Sequence, residues 1–200
     1  MRIAPAMLAI FASVFVAAMA VTATPVAAAT GQCTNWDSRT EPPPTIAVYR
    51  VSEGFVDRVD FKHYVMNVVS SEWNVDEHAL RRAGAVAVKQ YAWFHVLRWR
   101  GGSFNGDCFD VKDTTADQLY KAKAADMIPD RVKKAVNSTW NMRLLRNGKF
   151  FMTGYRTGQN VACASDAGYR LMAKSAAKCA RHGWSAGRIL EKYYTANLVT

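Results

Sequence analysis

The sequence has no C-x-x-C pair, no H-E-x-x-H string, no glycine-rich phosphate loop and no Ser-His-Asp order. Those absences exclude the common zinc sites, P-loop nucleotide chemistry and triad hydrolysis as readings that a motif carries. Internal repeats and low-complexity tracts are missing too, which excludes a solenoid or an array. Acidic residues are scarce: 16 Asp+Glu stand against 26 Lys+Arg, a formal net charge of +10. A chain this basic attracts polyanions. Cysteine is limited to Cys33, Cys108, Cys163 and Cys179, and His63, His78, His95 and His182 are scattered. No metal site and no cofactor is expected from that distribution.

Charge is also absent from Ile3 to Val21, after Arg2 and ahead of Pro25 and Ala27-Ala28-Ala29. Residues 1–29 therefore read as an export signal, with the mature chain starting near Thr30; retention of the run as a membrane anchor is the alternative. With the signal removed, no stable membrane insertion is expected. Residues 30–44 form a Pro-rich arm ending in Pro42-Pro43-Pro44, which no helix crosses. Residues 45–200 are enough for one domain with its own core, and 12% aromatics supports a packed interior. In an exported chain, four cysteines read as two disulfides. Cys163 and Cys179 share one segment and Cys33 sits in an otherwise untethered arm, which favours Cys163–Cys179 and Cys33–Cys108 among three possible pairings. Export also disfavours nucleic acid as a partner and leaves wall polymers and acidic lipids as the abundant polyanions.

Alternation predicts strands over Thr45–Val51 and Phe55–Phe61. From Phe61 the period changes: Tyr64, Val65, Val68, Val69 and Trp73 follow at helical spacing, with Asp60 as cap. Asn74-x-x-Glu77 resembles a capping box for a second helix running to about Trp99, apolar nearly all round between Ala83 and Phe94 and therefore central. Short strands or an ordered loop are expected over Phe109–Thr115 and Gln118–Tyr120, and a helix over Pro129–Trp140. Two extended runs between Met142 and Tyr155 meet at Asn147-Gly148, a dipeptide suited to a type I′ turn. Two helices are expected over Asp166–Arg181 and Ser185–Tyr194. The fold class is α+β: one compact, disulfide-stapled domain with a central apolar helix, small β elements and two C-terminal helices.

On a helical wheel starting from Phe61, Glu72 falls at about 20°, near the middle of the apolar arc. A carboxyl there finds a partner or keeps its proton, because burial disfavours the charged form. A proton held near neutral pH is what a glycosidase acid needs. The alternative is a helix that frays by Val69, leaving Glu72 to bond the backbone at the start of the next helix. Asp76 and Glu77, at the head of that helix, read as capping residues. Lys89 either snorkels its amine out of the core or sits near the acid and binds a polar substrate group. The remaining basic residues are spread over several elements and read as solvated faces.

Several ordered strings resemble the SpoIID/LytB domain, named for a stage II sporulation protein and an amidase enhancer. They are Val59-Asp60-Phe61-Lys62-His63-Tyr64-Val65 through Ser71-Glu72-Trp73, then Ala83 through Ala92, then Phe109-Asp110-Val111-Lys112-Asp113-Thr114-Thr115 with Gln118 and Tyr120, and Gly183 with Ile189 through Tyr194. The resemblance covers about residues 45–195. It implies lytic cleavage of peptidoglycan glycan strands stripped of stem peptides, with Glu72 as the single acid and base. Lys89 matches the family's Arg/Lys position, and Tyr91, Asp113, Thr114, Gln118, Tyr120 and Tyr155 match as residues shaping a substrate-binding cleft. The family's zinc-ligating His and Cys are replaced here by Ala116 and Asp117, so metal binding is not carried over. The string Ala167 to Ala173 lacks the Ser and Gln of the family's counterpart. Two functions stay open: a secreted or wall-associated glycan lyase, and a non-catalytic module that binds peptidoglycan or enhances a cell-wall amidase.

Overall fold

The computed structural model describes residues 33–73, 75–164 and 168–200. The expected export signal lies outside them, as do Asn74, read as a helix cap, and Asp166, read as a helix start.

The first helix, α1 (Phe61–Glu72), begins where the period changes; the Asp60 carboxylate caps it by accepting the His63 N–H at 2.7 Å. It runs through Glu72 without fraying, and Trp73 closes it by donating its backbone N–H to the Val69 carbonyl at 2.9 Å. The second helix, α2 (His78–Leu97), is buried along most of its length and packs against α1, α3 (Asp130–Ser138), α4 (Ala173–Arg181) and α5 (Ala186–Tyr194). Leu80, Val86, Val88 and Val96 are fully buried, each contributing roughly 1.5–3 kcal/mol of apolar transfer. Close approach needs Gly84: a Cβ there would stand 2.4 Å from the Trp73 ring, so its absence lets the indole lie on α2. Among the described residues no helix is long and apolar enough to cross a membrane.

The strands are short and distributed. β1 (Thr45–Arg50) pairs antiparallel with β2 (Phe55–Asp60), and β3 (Ser103–Phe104) forms a ribbon with β4 (Asp107–Cys108). β5 (Val111–Lys112) joins β1 in parallel. Asn147 and Gly148, at φ 50° and 71°, turn β6 (Arg143–Arg146) back into β7 (Lys149–Phe150), the left-handed pair that a type I′ hairpin requires. β8 (Gly154–Arg156) pairs in parallel with β9 (Arg170–Met172), and β10 (Asn197–Val199) returns to lie antiparallel to β6.

The fold is therefore the expected α+β domain, held by Cys33–Cys108 and Cys163–Cys179 with Cα separations of 5.5 and 5.4 Å. Two local expectations are corrected and one open alternative is decided. Residues 170–172, expected to be helical, form β9, because their backbone pairs with β8 before α4 starts at Ala173. Gln118–Tyr120 takes the ordered-loop alternative, fastened by side chains from α1. The extended run after Gly148 is broken between β7 and β8, where Thr153 donates its hydroxyl to the Ala87 carbonyl of α2 at 2.8 Å.

Candidate active site

The end of α1 and the loop 118–121 are joined by side chains reading backbone. Asn67 donates to the Lys121 carbonyl at 2.8 Å and accepts the Lys121 N–H at 2.7 Å. One turn further on, Glu72 Oε1 accepts the Leu119 N–H at 2.7 Å. Tyr64 donates its hydroxyl to Gln118 Oε1 at 3.0 Å, and the fully buried Gln118 amide donates to the Val88 carbonyl at 3.1 Å and the Tyr155 hydroxyl at 3.0 Å. Tyr155 in turn donates to Glu72 Oε2. A directed chain Tyr64, Gln118, Tyr155, Glu72 results, with each hydroxyl proton fixed by the acceptor ahead of it.

Glu72 itself is half-buried and lines a cleft of about 550 Å³ with Trp73, Thr115, Asp117, Tyr155, Arg156 and Thr157. Burial pushes its carboxyl above the ordinary 4.5, while the hydrogen bonds from Tyr155 and the Leu119 amide pull the other way. Both charge states are thus supported, one by desolvation and the other by two donors. The Tyr155 hydroxyl is raised well above its usual value by burial and by the Glu72 charge, so it stays a donor. Its ring meets Trp73 edge-on at 5.4 Å, and Tyr91 at 6.4 Å.

The cleft holds a second carboxylate, Asp117, but its oxygens are occupied. Oδ1 accepts from the Tyr91 hydroxyl at 3.1 Å and from Arg100 at 2.7 Å, and Oδ2 accepts the Lys112 N–H at 2.8 Å. With a side chain 5% exposed, it anchors the loop. Burial, with Asp117 adding to it, pushes the Tyr91 hydroxyl up to about 12. Among the described residues no three His, Cys, Asp or Glu side chains gather in a way that could hold a metal ion.

Of the residues singled out in the sequence, the structure brings Glu72, Gln118 and Tyr155 into one chain, with Tyr91 against Tyr155. Asp113 is elsewhere: it accepts from Arg50 at 3.2 Å and from the Val51 N–H at 3.0 Å, tying its loop to β1. Thr114 is half-buried in a turn and gives its carbonyl to the Asp117 N–H at 3.0 Å. Tyr120 is buried, stacks on Tyr64 at 5.3 Å and lies under Arg50. Asn67, Trp73, Thr115, Asp117, Arg156 and Thr157 were not singled out as site residues. Adjacency to a singled-out residue is a signal in the sequence for Trp73, Thr115, Asp117, Arg156 and Thr157, whereas Asn67 depends on its contact with Lys121, 54 residues away.

Lys89 is absent from the cleft, and its expected substrate contact is corrected. It is 1% exposed, and its ammonium donates to the Thr139 carbonyl at 2.9 Å, to the Met142 carbonyl at 2.6 Å and to the Trp140 carbonyl. All three donors serve the chain leaving α3, and none remains for a ligand. Burial, with repulsion from Arg143 and Lys62, brings its pKa down to about 7. Replacing Lys89 with methionine keeps the stem and orphans three carbonyls. A loss of about 3 kcal/mol is expected in urea unfolding, part of the orphaning cost being offset by no longer burying a charge. An unchanged midpoint would show that the carbonyls find water instead.

Fold and site together define a small α+β domain whose solvent-open cleft presents one carboxyl group, that of Glu72, without an ion-pair partner among the described residues. Residues 49–145 match the family model for SpoIID, stage II sporulation protein, which supports assignment to that family. The matched stretch contains Glu72, α2 and the loop through Gln118, whereas Tyr155 and β9 lie beyond it. No curated protein matches the chain. The family supports a cell-wall-related function, and with the two disulfides it is compatible with an extracytoplasmic protein.

Proposed function

We propose that the protein is a secreted or wall-associated lytic transglycosylase that cleaves peptidoglycan glycan strands, with Glu72 as acid and then base. The observation that carries this reading is the Glu72 carboxyl, half-buried in an open cleft, raised in pKa by burial and oriented by Tyr155 and the Leu119 amide. In the first step protonated Glu72 gives its proton to the bridging oxygen as the bond from that oxygen to the anomeric carbon breaks. In the second step the resulting carboxylate takes the proton of the sugar's own 6-hydroxyl as that oxygen bonds the anomeric carbon. The products are a free 4-hydroxyl and a 1,6-anhydro end, and no water is consumed. One carboxyl group suffices for both steps, which agrees with Asp117 being ion-paired with Arg100.

The altered string before α4 does not remove Tyr155 from the site. β9 holds β8 through main-chain pairing, Leu171 opposite Tyr155, and such pairing tolerates changes of side chain. Incubation of the purified protein with denuded glycan strands is expected to release anhydro-ended fragments in mass spectra. Retention on purified sacculi with no such fragments would move the reading to a docking module or amidase enhancer, which the sequestration of Lys89 favours.

Tyr155 gives a test separate from product formation. Its hydrogen bond lowers the Glu72 pKa, so Tyr155→Phe is expected to raise that pKa further above the ordinary carboxylate range. NMR titration of the side-chain carboxyl carbon reads the shift directly. A Glu72 titration that does not move would remove Tyr155 from the relay.

A further inference from the structure

A second groove, of about 460 Å³, lies outside the Glu72 cleft and shares no residue with it. Its walls are the arm around Arg39, the C-terminal end of α2 with Phe94, Leu97 and Arg98, and the β6–β7 hairpin with Arg143 and Lys149. The arm is fixed in place: Trp93 on α2 donates its indole N–H to the Ser38 carbonyl at 2.9 Å, and the Cys33–Cys108 disulfide closes the chain behind it. Four cations line the groove against one carboxylate, Asp37. None of the four makes an ion pair among the described residues, whereas Arg50, Arg100 and Arg181 elsewhere all do. Arg98 is set over the Phe94 ring at 5.4 Å, which orients its guanidinium without neutralising it.

We infer that this groove binds an anionic saccharide, a carbohydrate segment carrying phosphate or carboxylate groups, held by Arg39, Arg98, Arg143 and Lys149 with its sugar faces on Phe94 and Phe150. Guanidinium forks suit both oxyanions, and half-buried aromatic rings offer flat apolar surface to sugar C–H faces. A membrane surface fits less well. The site is concave, and none of the exposed large apolar side chains, Val51, Phe55, Met127, Met152, Val161 and Tyr169, lines it. The groove serves to hold an acidic wall polymer while Glu72 works elsewhere, and its existence does not depend on the catalytic reading.

The test is calorimetric titration of the purified protein with dextran phosphate oligomers, oligogalacturonate, unmodified dextran and phosphatidylglycerol vesicles. Wild type is expected to bind at least one of the two anionic saccharides and not the neutral one; the preferred arm identifies the anion. Arg98→Glu with Lys149→Glu is expected to weaken that binding by about tenfold or more, two exposed charge contacts being reversed. Lys134→Glu with Lys192→Glu, an equal change of net charge on α3 and α5, is expected to cost less than about threefold. Glu72→Gln is expected to bind as wild type. Equal losses in the two double variants would reduce the effect to net charge and overturn the site. So would loss in Glu72→Gln, binding to vesicles alone, or no saccharide binding by wild type.

Discussion

Glu72→Gln is expected to slow anhydro-end release by about 10²–10⁴-fold, the usual contribution of a positioned general acid and base, while the protein stays folded. Glutamine keeps the shape, and its carbonyl oxygen still accepts the Leu119 N–H that Glu72 accepts at 2.7 Å. What it cannot do is give up and retake a proton. Rate and structure are therefore separable in this variant, with circular dichroism and glycan mass spectrometry as the two readouts. Equal release by wild type and variant would end the catalytic assignment. Stability supplies an independent check. The folded Glu72 pKa lies above its ordinary 4.5, so folding favours the protonated form. The stability that this group contributes is fully present below 4.5 and is lost as pH rises through the folded value. Glutamine has no such loss, and wild type is expected to fall behind the variant in melting temperature between acid and mildly alkaline pH. Lys89, common to both proteins, cancels in the comparison. A gap constant across that range would contradict the raised pKa.

Reduction of the disulfides is expected to bring the second large effect. In the chain-entropy view the Cys33–Cys108 link, spanning a separation of 75 residues, contributes about 4 kcal/mol by restricting the unfolded chain. The Cys163–Cys179 link, across 16 residues, contributes about 3 kcal/mol. Their sum is comparable to the whole stability of a domain this size, about 5–15 kcal/mol. Reductant is thus expected to shift the urea midpoint to a small fraction of its oxidised value. The two links act at different places. Replacing Cys33 and Cys108 with serine frees the arm that walls the cationic groove, and replacing Cys163 and Cys179 loosens the stretch between β8 and α4. Coincident midpoints with and without reductant would contradict both.

What could be read from the sequence was local. The Asp60 cap, the helical stripe from Phe61, the Asn147-Gly148 turn and the apolar α2 each depend on neighbours a few residues apart, and all appear in the structure. The disulfide pairing is the one favoured by Cys163 and Cys179 sharing a segment and by Cys33 sitting in an otherwise untethered arm, cues that left the other pairings open. The parallel pairings β1–β5 and β8–β9 were not, since a strand of two or three residues carries no period of its own. The same divide runs through the site. A wheel places Glu72 on the inner face of α1 but says nothing of Leu119 and Tyr155, which lie 47 and 83 residues further on. Lys89 shows the cost of that blindness. A lone cation on an apolar helix has the same sequence signature whether it faces a sugar or the carbonyls of residues 139–142, fifty residues away.

The Leu119 amide gives the carboxyl of α1 a second employment. The proposed acid is also the rivet that keeps a neighbouring stretch of main chain seated on the helix. Whatever its activity, a descendant would therefore need to retain an oxygen at position 72, or find another way to fasten that stretch, before the acid became dispensable. Persistence of glutamate or glutamine there in wall proteins that no longer cut would be the trace of that constraint.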